Sequence, residues 1–400
     1  MRILMMFPYA PLPPPNDLGG TKRNLPFLQE NLKRHHVTVL SFGTPDEEQI
    51  FRQAFGRVCQ EIVFVDRKRP RILNAIEQFW LLATGRSSFR QMYRREMQKR
   101  LDDLTAKGSF DIIHCCTQLL GFFRFPSNVP VVSDTHEVTY HLLWRTYKNT
   151  RDPFFKLLTY LKYRFGKQEE IEVSGKFDAL IATTDRDYEI FRHDLPDQKI
   201  VVVNNGVNAS FFEQQLVATE PGSLVFTGLM THYPNEHGIL FFLDEVFPHI
   251  HTSNPKTRLY VVGAKPSKKI LARSSEYVIV TGFVEDVRPY MAKGEIYIIP
   301  LLIGGGIRGK ALEAMAMKKP IVTTTIGCEG IKLVHEYSAL FADSPEDFAS
   351  AILRLQKETQ LRNTLSDAAY RTVTEEYNWN NKGMELDRAY GKVLESRGKP

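Results

Sequence analysis

Short apolar runs alternate with amphipathic helical patterns along both halves of the chain. In the first half these runs are RILMMFPY, HVTVLSF, FDIIHCC, VPVVSDTH, FDALIATT and KIVVVNNGV. Nearly every position in them is apolar or β-branched, which is typical of parallel strands buried on both faces. Helical patterns lie between the runs, so the order predicts a doubly wound α/β sheet.

The same alternation begins again after the polar stretch Gln214–Gly222, which we predict to be a linker. The second set of runs is SLVFTGLM, TRLYVVGA, YVIVTGF, EIYIIPL and PIVTTTI, and the chain ends in helical patterns. We therefore expect two Rossmann-like domains, over residues 1–210 and 211–375, followed by a last helix over 376–400. Domains of this kind bind ligands beyond the carboxyl ends of their strands, so we expect the site in a cleft between them.

Length and composition fit this division. The chain has 400 residues, of which 43% are hydrophobic and 24% charged, and such a length usually forms two cores. A net charge of +6 suits an anionic ligand or surface, and we expect no nucleic-acid partner. The four cysteines form no C-x-x-C pair, which fits a reducing cytosol rather than a disulfide framework. No apolar run has the length of a membrane span, so we expect a cytoplasmic protein.

One segment differs from the rest in charge. Arg67–Arg100 contains ten Lys or Arg residues against two Glu, with Phe79, Trp80, Leu81, Leu82 and Phe89 among them. Such a pattern predicts a basic amphipathic helix that makes peripheral contact with an anionic membrane. A solvated helix pair that covers the first domain is the alternative.

A glycine triplet opens a helical pattern in PLLIGGGIRGKALEAMAMKKP, which spans Pro300–Pro320. Glycines without side chains let phosphate oxygens approach backbone amides, and a helix amino terminus adds unpaired donors and a positive dipole end. We predict a helix from about Ile307, with Arg308 in its first turn. A plain strand-to-helix turn with a solvated arginine and lysine fits the same letters.

Several short motifs occur in one order: NNGVN at 204–208, FTG at 226–228, TGFV at 281–284, GGG at 304–306 and EAMA at 313–316. With a glycine pair at 19–20 and YNW at 377–379, this order resembles the family-4 glycosyltransferases of GT-B fold, over nearly the whole chain. The resemblance implies two facing Rossmann-like domains and a C-terminal helix that crosses back to the first. It also implies transfer of a sugar from a nucleotide-sugar to an acceptor with retention of configuration.

The resemblance assigns roles to individual residues. Glu313 matches the family's ribose-binding glutamate, and backbone groups of the TGFV motif would contact the base edge. The expected donor-binding residues are Gly19, Gly20, Gly228, Gly282, Phe283, Val284, Gly304, Gly305, Gly306 and Glu313. No metal or cofactor is expected, because cationic side chains and amides would stabilise the departing diphosphate. The UDP- or GDP-linked donor would be a substrate.

The chain departs from the family pattern at three donor-site positions. Gly305 stands where the family usually has a second glutamate, so the role of that acid is open. Leu229 and Asn235 stand where an arginine and a lysine usually bind the diphosphate. Arg308 and Lys310 occur instead in the glycine-rich helix, so we predict that these two catalytic residues supply the missing charge from another wall of the pocket. We expect the larger effect from Arg308.

Two histidines of the first domain are candidates for the acceptor side. Cys116 stands where the family often has a histidine, which leaves His114 and His136. We favour His136 as a catalytic residue, because it follows a predicted strand and would lie beyond that strand's carboxyl end. A hydrogen-bonded structural histidine is the alternative. The acceptor would be a glycan, a lipid-linked sugar or a small molecule, as in polysaccharide biosynthesis.

Other functions remain open from the sequence. A nucleotide-sugar epimerase or a phosphorylase could use the same fold, although neither the carboxylates of the first nor the pyridoxal-phosphate lysine of the second is recognisable. A non-catalytic, glycosyltransferase-like partner subunit would explain the three departures. A nicotinamide-dependent oxidoreductase is disfavoured, because G-x-G-x-x-G is absent after the first strand.

Overall fold

The computed structural model describes residues 1–13, 21–66, 70–150, 152–213 and 217–398, and these form two compact units. One unit comprises Met1–Asn204 and the chain from Trp379 onward, and the other comprises Asn205–Asn378. The chain passes from one unit to the other twice, after Asn204 and after Asn378. Close to both points, the Val207 N–H donates a hydrogen bond to the Tyr377 carbonyl at 2.7 Å. The units therefore divide a few residues away from the expected boundaries at 210/211 and 375/376. The hydrogen bond holds the two chain segments at these boundaries side by side.

Within the described residues, the first unit has a seven-stranded parallel sheet in the order β3-β2-β1-β4-β5-β6-β7. The strands are β1 (Arg2–Phe7), β2 (His36–Phe42), β3 (Glu61–Val65), β4 (Ile112–Cys115), β5 (Val131–Asp134), β6 (Ala179–Ala182) and β7 (Ile200–Val202). Ile3, Met5 and Phe7 of β1 join the core on one face of the sheet, whereas Leu4 and Met6 join the core on the other. Because both faces are covered, the strands are continuous apolar runs.

Helices connect these strands and cover both faces of the sheet. They are α1 (Thr21–Leu32), α2 (Pro45–Phe55), α3 (Arg71–Ala83), α4 (Arg95–Lys107), α5 (Thr139–Asn149), α6 (Pro153–Ser174) and α7 (Asp185–Asp194). Local sequence fixes several of their starts: Thr44 caps α2 in a capping box with Glu47, and Thr184 caps α7. Among the described helices of the chain, none combines the length and apolar character that a membrane span requires.

The second unit has its own sheet, with six described strands, all parallel, in the order β10-β9-β8-β11-β12-β13. These strands are β8 (Glu220–Thr227), β9 (Arg258–Val262), β10 (Val278–Gly282), β11 (Gly294–Ile299), β12 (Ile321–Thr323) and β13 (Leu340–Phe341). Its helices are α8 (Ala209–Glu213), α9 (Tyr233–Phe241), α10 (Phe247–Ser253), α11 (Lys268–Leu271), α12 (Arg288–Lys293), α13 (Gly309–Ala316), α14 (Pro345–Lys357) and α15 (Thr359–Glu376). The stretch expected to be a linker therefore ends inside β8.

The order of strands reverses at one point in each sheet. In the first unit the reversal lies between β1 and β4, and in the second it lies between β8 and β11. Open α/β sheets bind ligands outside the carboxyl ends of the strands at such a switch point. Each unit therefore has one sheet edge at which functional side chains are expected.

The last helix, α16 (Trp379–Ser396), belongs to the first unit. Trp379 packs edge-on against Phe27 of α1 at 5.3 Å between ring centroids, and Tyr390 is fully buried in that unit's core. The ring of His35 also lies 2.8 Å from the carboxylate of Asp387. The prediction of two doubly wound Rossmann-like sheets, with a C-terminal helix that crosses back to the first, is confirmed.

Candidate functional site

The carboxyl edge of the second sheet is built from closely spaced backbone. Gly228 directly follows β8, and its N–H donates to the Val262 carbonyl at 3.0 Å. Gly263 in turn donates to the Gly282 carbonyl at 3.1 Å, so the ends of β8, β9 and β10 are adjacent. A Cβ on Gly228 would lie 2.9 Å from the ammonium nitrogen of Lys310. A side chain on Gly228 would therefore displace the Lys310 ammonium or the Asn235 amide from the strand end.

Lys310 projects from the start of α13 toward β8. Its Nζ donates to Asn235 Oδ1 at 2.8 Å and lies 4.1 Å from the centroid of the Phe226 ring. The Asn235 amide donates to the Leu229 carbonyl at 2.9 Å. The ammonium thus lies beside Leu229 and Asn235, the two positions where the resemblance leads us to expect cations. Nothing in this geometry ranks Lys310 below Arg308.

Arg308 lies just before α13, because the helix begins at Gly309 and not near Ile307 as expected. Gly306 has a φ of 62°, a left-handed conformation that is not α-helical, so the helix can begin only after this residue. The Arg308 guanidinium turns back onto the loop and donates to the carbonyls of Gly305 and Gly306. A side chain on Gly304 would clash with that guanidinium. Arg308 therefore braces the glycine triplet in this structure.

Glu313 lies on α13, one turn beyond Lys310, and only 7% of it is exposed. Burial raises the pKa of Tyr297, and the negative charge of Glu313 raises it further. The Tyr297 hydroxyl lies 2.5 Å from the hydroxyl of Thr227, at the end of β8. Because it is buried, Glu313 is not a solvated helix acid. Its negative charge acts on Tyr297, whose hydroxyl contacts Thr227 at the end of β8, the strand end that Lys310 also approaches.

The TGFV motif presents backbone at the end of β10. Gly282 has a φ of 70°, and a Cβ placed there would meet no atom within 4 Å. Phe283 follows with 64% of its surface exposed, and Val284 is partly buried against the core of the unit. The backbone groups that the resemblance assigns to the base edge therefore border open space.

His232 was missed by the sequence analysis. It occupies the N-cap position of α9, two residues before Pro234, without a side-chain capping hydrogen bond. Its pKa is lowered, first by desolvation and then by the positive charges of Lys310 and Arg308. A neutral imidazole therefore lies within reach of both cations. In the sequence, only the short distance of His232 from the FTG motif could have indicated that this histidine lies near the two cations.

The edge of the first sheet holds a buried ion pair. Arg23 of α1 donates from Nε and Nη2 to Asp134 at 2.7 and 2.6 Å, and Nη2 also donates to the Val203 carbonyl. Burial would raise the pKa of Asp134, but the charge and hydrogen bonds of Arg23 hold it below the usual range. The expected Gly19 and Gly20 lie outside the described residues.

His136 follows β5 at the carboxyl edge of the sheet. Its Nε2 lies 2.9 Å from the Asn24 side-chain oxygen and 3.9 Å from Asp134. The pKa of His136 is lowered, chiefly by burial, while Asp134 raises it and Arg23 lowers it. The imidazole is therefore neutral near neutral pH and belongs to one polar network with the ion pair.

His114 lies inside the unit. It is fully buried on β4, and its Nδ1 lies 2.5 Å from the Tyr390 hydroxyl of α16. Burial lowers the pKa of His114 to about 4. This histidine joins the sheet to the returning helix.

Two doubly wound parallel sheets, the second with glycine backbone at its carboxyl edge, are the architecture of the GT-B-like class of proteins. Known sequences agree with this class. Residues 27–211 match the model of Glycosyltransferase Family 4, and residues 221–358 match the model of Glycosyl transferases group 1. The chain is also 21% identical to an uncharacterized 44.6 kDa protein in the cps region of Klebsiella pneumoniae, over 86% of this chain and 88% of that protein. An uncharacterized glycosyltransferase of Methanocaldococcus jannaschii is 23% identical, over 96% and 97%.

Solved structures share the fold at low sequence identity. A sucrose-phosphate synthase from Thermosynechococcus elongatus superposes with a TM-score of 0.68 at 15% identity, over 99% of both chains. The Anabaena protein HepE, solved in complex with UDP-glucose, gives a TM-score of 0.66 at 14% identity, over 98% of this chain and all of that one. Because the two family models together span most of the chain, it belongs to the family-4 group of glycosyltransferases.

Proposed function

We propose that the protein transfers a sugar from a nucleotide-diphosphate donor to a hydroxyl acceptor, with retention of configuration and without a metal ion. The observation that carries this proposal is the Lys310 ammonium, which lies beside Gly228 and Asn235 at the amino terminus of α13. A cation, glycine backbone and a helix amino terminus together provide what a departing diphosphate needs. The structures of HepE with UDP and UDP-glucose favour a UDP-linked donor.

In this proposal the second unit holds the donor. The diphosphate lies against the glycine triplet and Lys310, Glu313 accepts hydrogen bonds from the ribose hydroxyls, and the backbone at 282–284 contacts the base. As the bond between C1 and the diphosphate oxygen breaks, its electron pair moves to the diphosphate. Lys310 meets this growing charge, and Arg308 assists either directly or by bracing the loop. C1 bonds to the acceptor oxygen on the same face.

The first unit then serves the acceptor, a glycan or a lipid-linked sugar. His136 is the candidate to accept the hydroxyl proton, because its lowered pKa keeps the imidazole neutral. Nε2 would have to give up its contact with Asn24 to do so. Peripheral contact with an anionic membrane, where a lipid-linked acceptor lies, is part of the proposal. A place in polysaccharide biosynthesis is also part of the proposal.

A donor panel tests the proposal. The purified chain is incubated with UDP-, GDP- and ADP-linked sugars, with and without EDTA, and release of the nucleoside diphosphate is measured. We expect slow hydrolysis of one donor class that EDTA leaves unchanged, and thermal stabilisation by the matching nucleoside diphosphate. Retention is checked on the product by the anomeric coupling constant in NMR.

The second candidate is a non-catalytic partner subunit, which is favoured by Gly305 and Leu229 at positions where the family has charged residues. That function predicts thermal stabilisation by a nucleotide without release of diphosphate from any donor, so the same panel separates the two.

A further inference from the structure

Helix α3 turns its polar side toward the protein. Gln91, in the short 3₁₀ turn Ser88–Met92, donates to the Asn74 carbonyl at 3.1 Å and to the Glu77 carboxylate at 3.3 Å. Gln78 of the helix lies 3.3 Å from the side-chain oxygen of Gln91. The helix is thus held to its unit largely through polar contacts, although Leu81 is buried as well.

The opposite side of α3 is apolar and faces solvent. Phe79 is 75% exposed, Ile72 73% and Ile76 58%, and Leu73 and Trp80 are more than half exposed. At ~100° per residue these five side chains fall within an arc of about 120°. We call this arc the α3 apolar face. Helices of globular proteins normally turn such an arc to the core, so an outward arc of this size indicates a binding surface.

Charge around the α3 apolar face is distributed differently from what the sequence suggested. Three cations that follow the helix are near acids: Arg90 pairs with Glu169, Arg94 lies 4.0 Å from Glu77, and Arg100 lies 3.7 Å from Glu96. Arg67–Arg69 lie outside the described residues, whereas the exposed Arg86 follows the helix. In the described residues the surface is therefore an apolar face with the cation Arg86 beyond its carboxyl end, rather than a basic face.

A second exposed apolar group lies at the start of α6, a helix that contacts α3. Phe154 is 71% exposed, Phe155 60% and Leu157 59%. Lys156 lies among them, with its ammonium 5.4 Å from the centroid of the Tyr147 ring. The first unit thus exposes large apolar side chains beside cations on two of its helices.

We propose that the α3 apolar face inserts into the boundary between headgroups and acyl chains of an anionic lipid bilayer, with the start of α6 as a second contact. Acyl chains would cover the apolar arc, and lipid phosphates would meet Arg86 and Lys156, so one partner satisfies both features. Trp and Phe side chains are typical of this interfacial depth. The inference deepens the peripheral contact included in the proposed function, but it does not depend on sugar transfer.

Sedimentation with lipid vesicles tests the inference on the full chain. Vesicles are made of phosphatidylcholine alone or mixed with phosphatidylglycerol. We expect binding to the mixed vesicles, weakening with added salt, and a loss on the order of a hundredfold in the double variant Phe79→Ser/Trp80→Ser. Both side chains point outward, so the variant should keep its fold. Its thermal stabilisation by UDP is measured in parallel as a readout of the second unit.

The matched control is Val334→Ser/Tyr337→Ser, which removes two side chains of similar exposure from the second unit and should leave vesicle binding unchanged. Brominated phosphatidylglycerol should quench the wild-type tryptophan fluorescence, and most of that quenching should disappear in Trp80→Phe. Equal, negligible sedimentation with both vesicle types would overturn the inference. So would lipid-free self-association that the Phe79→Ser/Trp80→Ser variant abolishes, because a second copy would then be the occupant of the face.

Discussion

The two units differ in what surrounds the charged side chains at the carboxyl ends of their strands. The first unit buries a complete ion pair, in which Arg23 and Asp134 satisfy each other beside the neutral His136. In the second unit, the cation Lys310 contacts a neutral amide and an aromatic ring beside glycine backbone. Removing one partner of a buried pair leaves the other charge uncompensated, whereas a cation beside glycine backbone at a strand end can meet charge that develops on a ligand. In the proposed function the second edge meets the anionic diphosphate and the first edge meets the acceptor hydroxyl.

Breaking the ion pair of the first unit should give the largest effect. Asp134→Ala leaves Arg23 charged and buried, so we expect the free energy of unfolding to fall by about 3–5 kcal/mol. Denaturation in urea measures it. The control is Glu336→Ala, which removes the acid from an exposed pair with Arg354 and should cost about 1 kcal/mol or less. A loss for Asp134→Ala no larger than the control would contradict the view that this charge is structural.

Removing the cation of the second unit should act on turnover. For Lys310→Ala we expect a loss of about a hundredfold in kcat with a smaller change in donor KM, because the charge that Lys310 meets grows toward the transition state. Arg308→Ala should also lower kcat. Lys357→Ala, which removes an exposed lysine from the end of α14, serves as the control and should be near wild type. If kcat were unchanged in both Lys310→Ala and Arg308→Ala, neither side chain would be stabilising the charge of the departing diphosphate.

The ribose contact should have a smaller and different signature. In the proposed function Glu313 contacts the donor equally in the ground and transition states, so Glu313→Gln should raise the donor KM by about tenfold and leave kcat nearly unchanged. Steady-state kinetics with varied donor separate the two constants. If kcat fell as steeply as in Lys310→Ala, Glu313 would be acting on the reacting charge instead.

Glu170 gives a second case of a buried acid in the first unit. Unlike Asp134, which accepts from the cation Arg23, it accepts hydrogen bonds from neutral donors. It accepts hydrogen bonds from Gln118 and from the backbone N–H groups of Thr139 and Tyr140. These bonds lower its pKa, but burial outweighs them and raises it from 4.5 to about 7. The folded state thus binds the proton more tightly than the unfolded state, so the stabilisation is complete below pH 4.5 and is lost as the pH rises to about 7.

The difference in melting temperature between wild type and Glu170→Gln isolates this small effect. Relative to the variant, which cannot titrate at this position, the wild type should lose stability as the pH rises across that window. A difference that stays constant with pH would mean that Glu170 remains ionised, held by its three donors.

Much of the fold follows from local pattern, because a strand buried on both faces can contain almost only apolar residues. The continuous runs around β1, β4 and β11 therefore indicated parallel sheets, and a glycine at a strand end indicated close approach of backbone. The motifs that the resemblance assigns to the donor site could also be recognised, since each lies within a few residues of sequence, and their role stays a prediction. The wider turn near Phe242 could not be recognised: EHGILFFLDEVFPHIH predicts one helix, and the chain is helical from Tyr233 to Ser253, but Phe242–Val246 within it is π-helical.

The sequence by itself determined which residues are apolar, which strands are parallel and where glycines open the backbone. Only the tertiary structure decided that Lys310 points to Asn235, because the two residues are distant in the chain and meet through the neighbouring strands β8 and β11. It also decided that α3 turns its apolar arc outward. An amphipathic pattern has the same period whichever side faces the protein, and the choice depends on what packs against the helix, here Gln91.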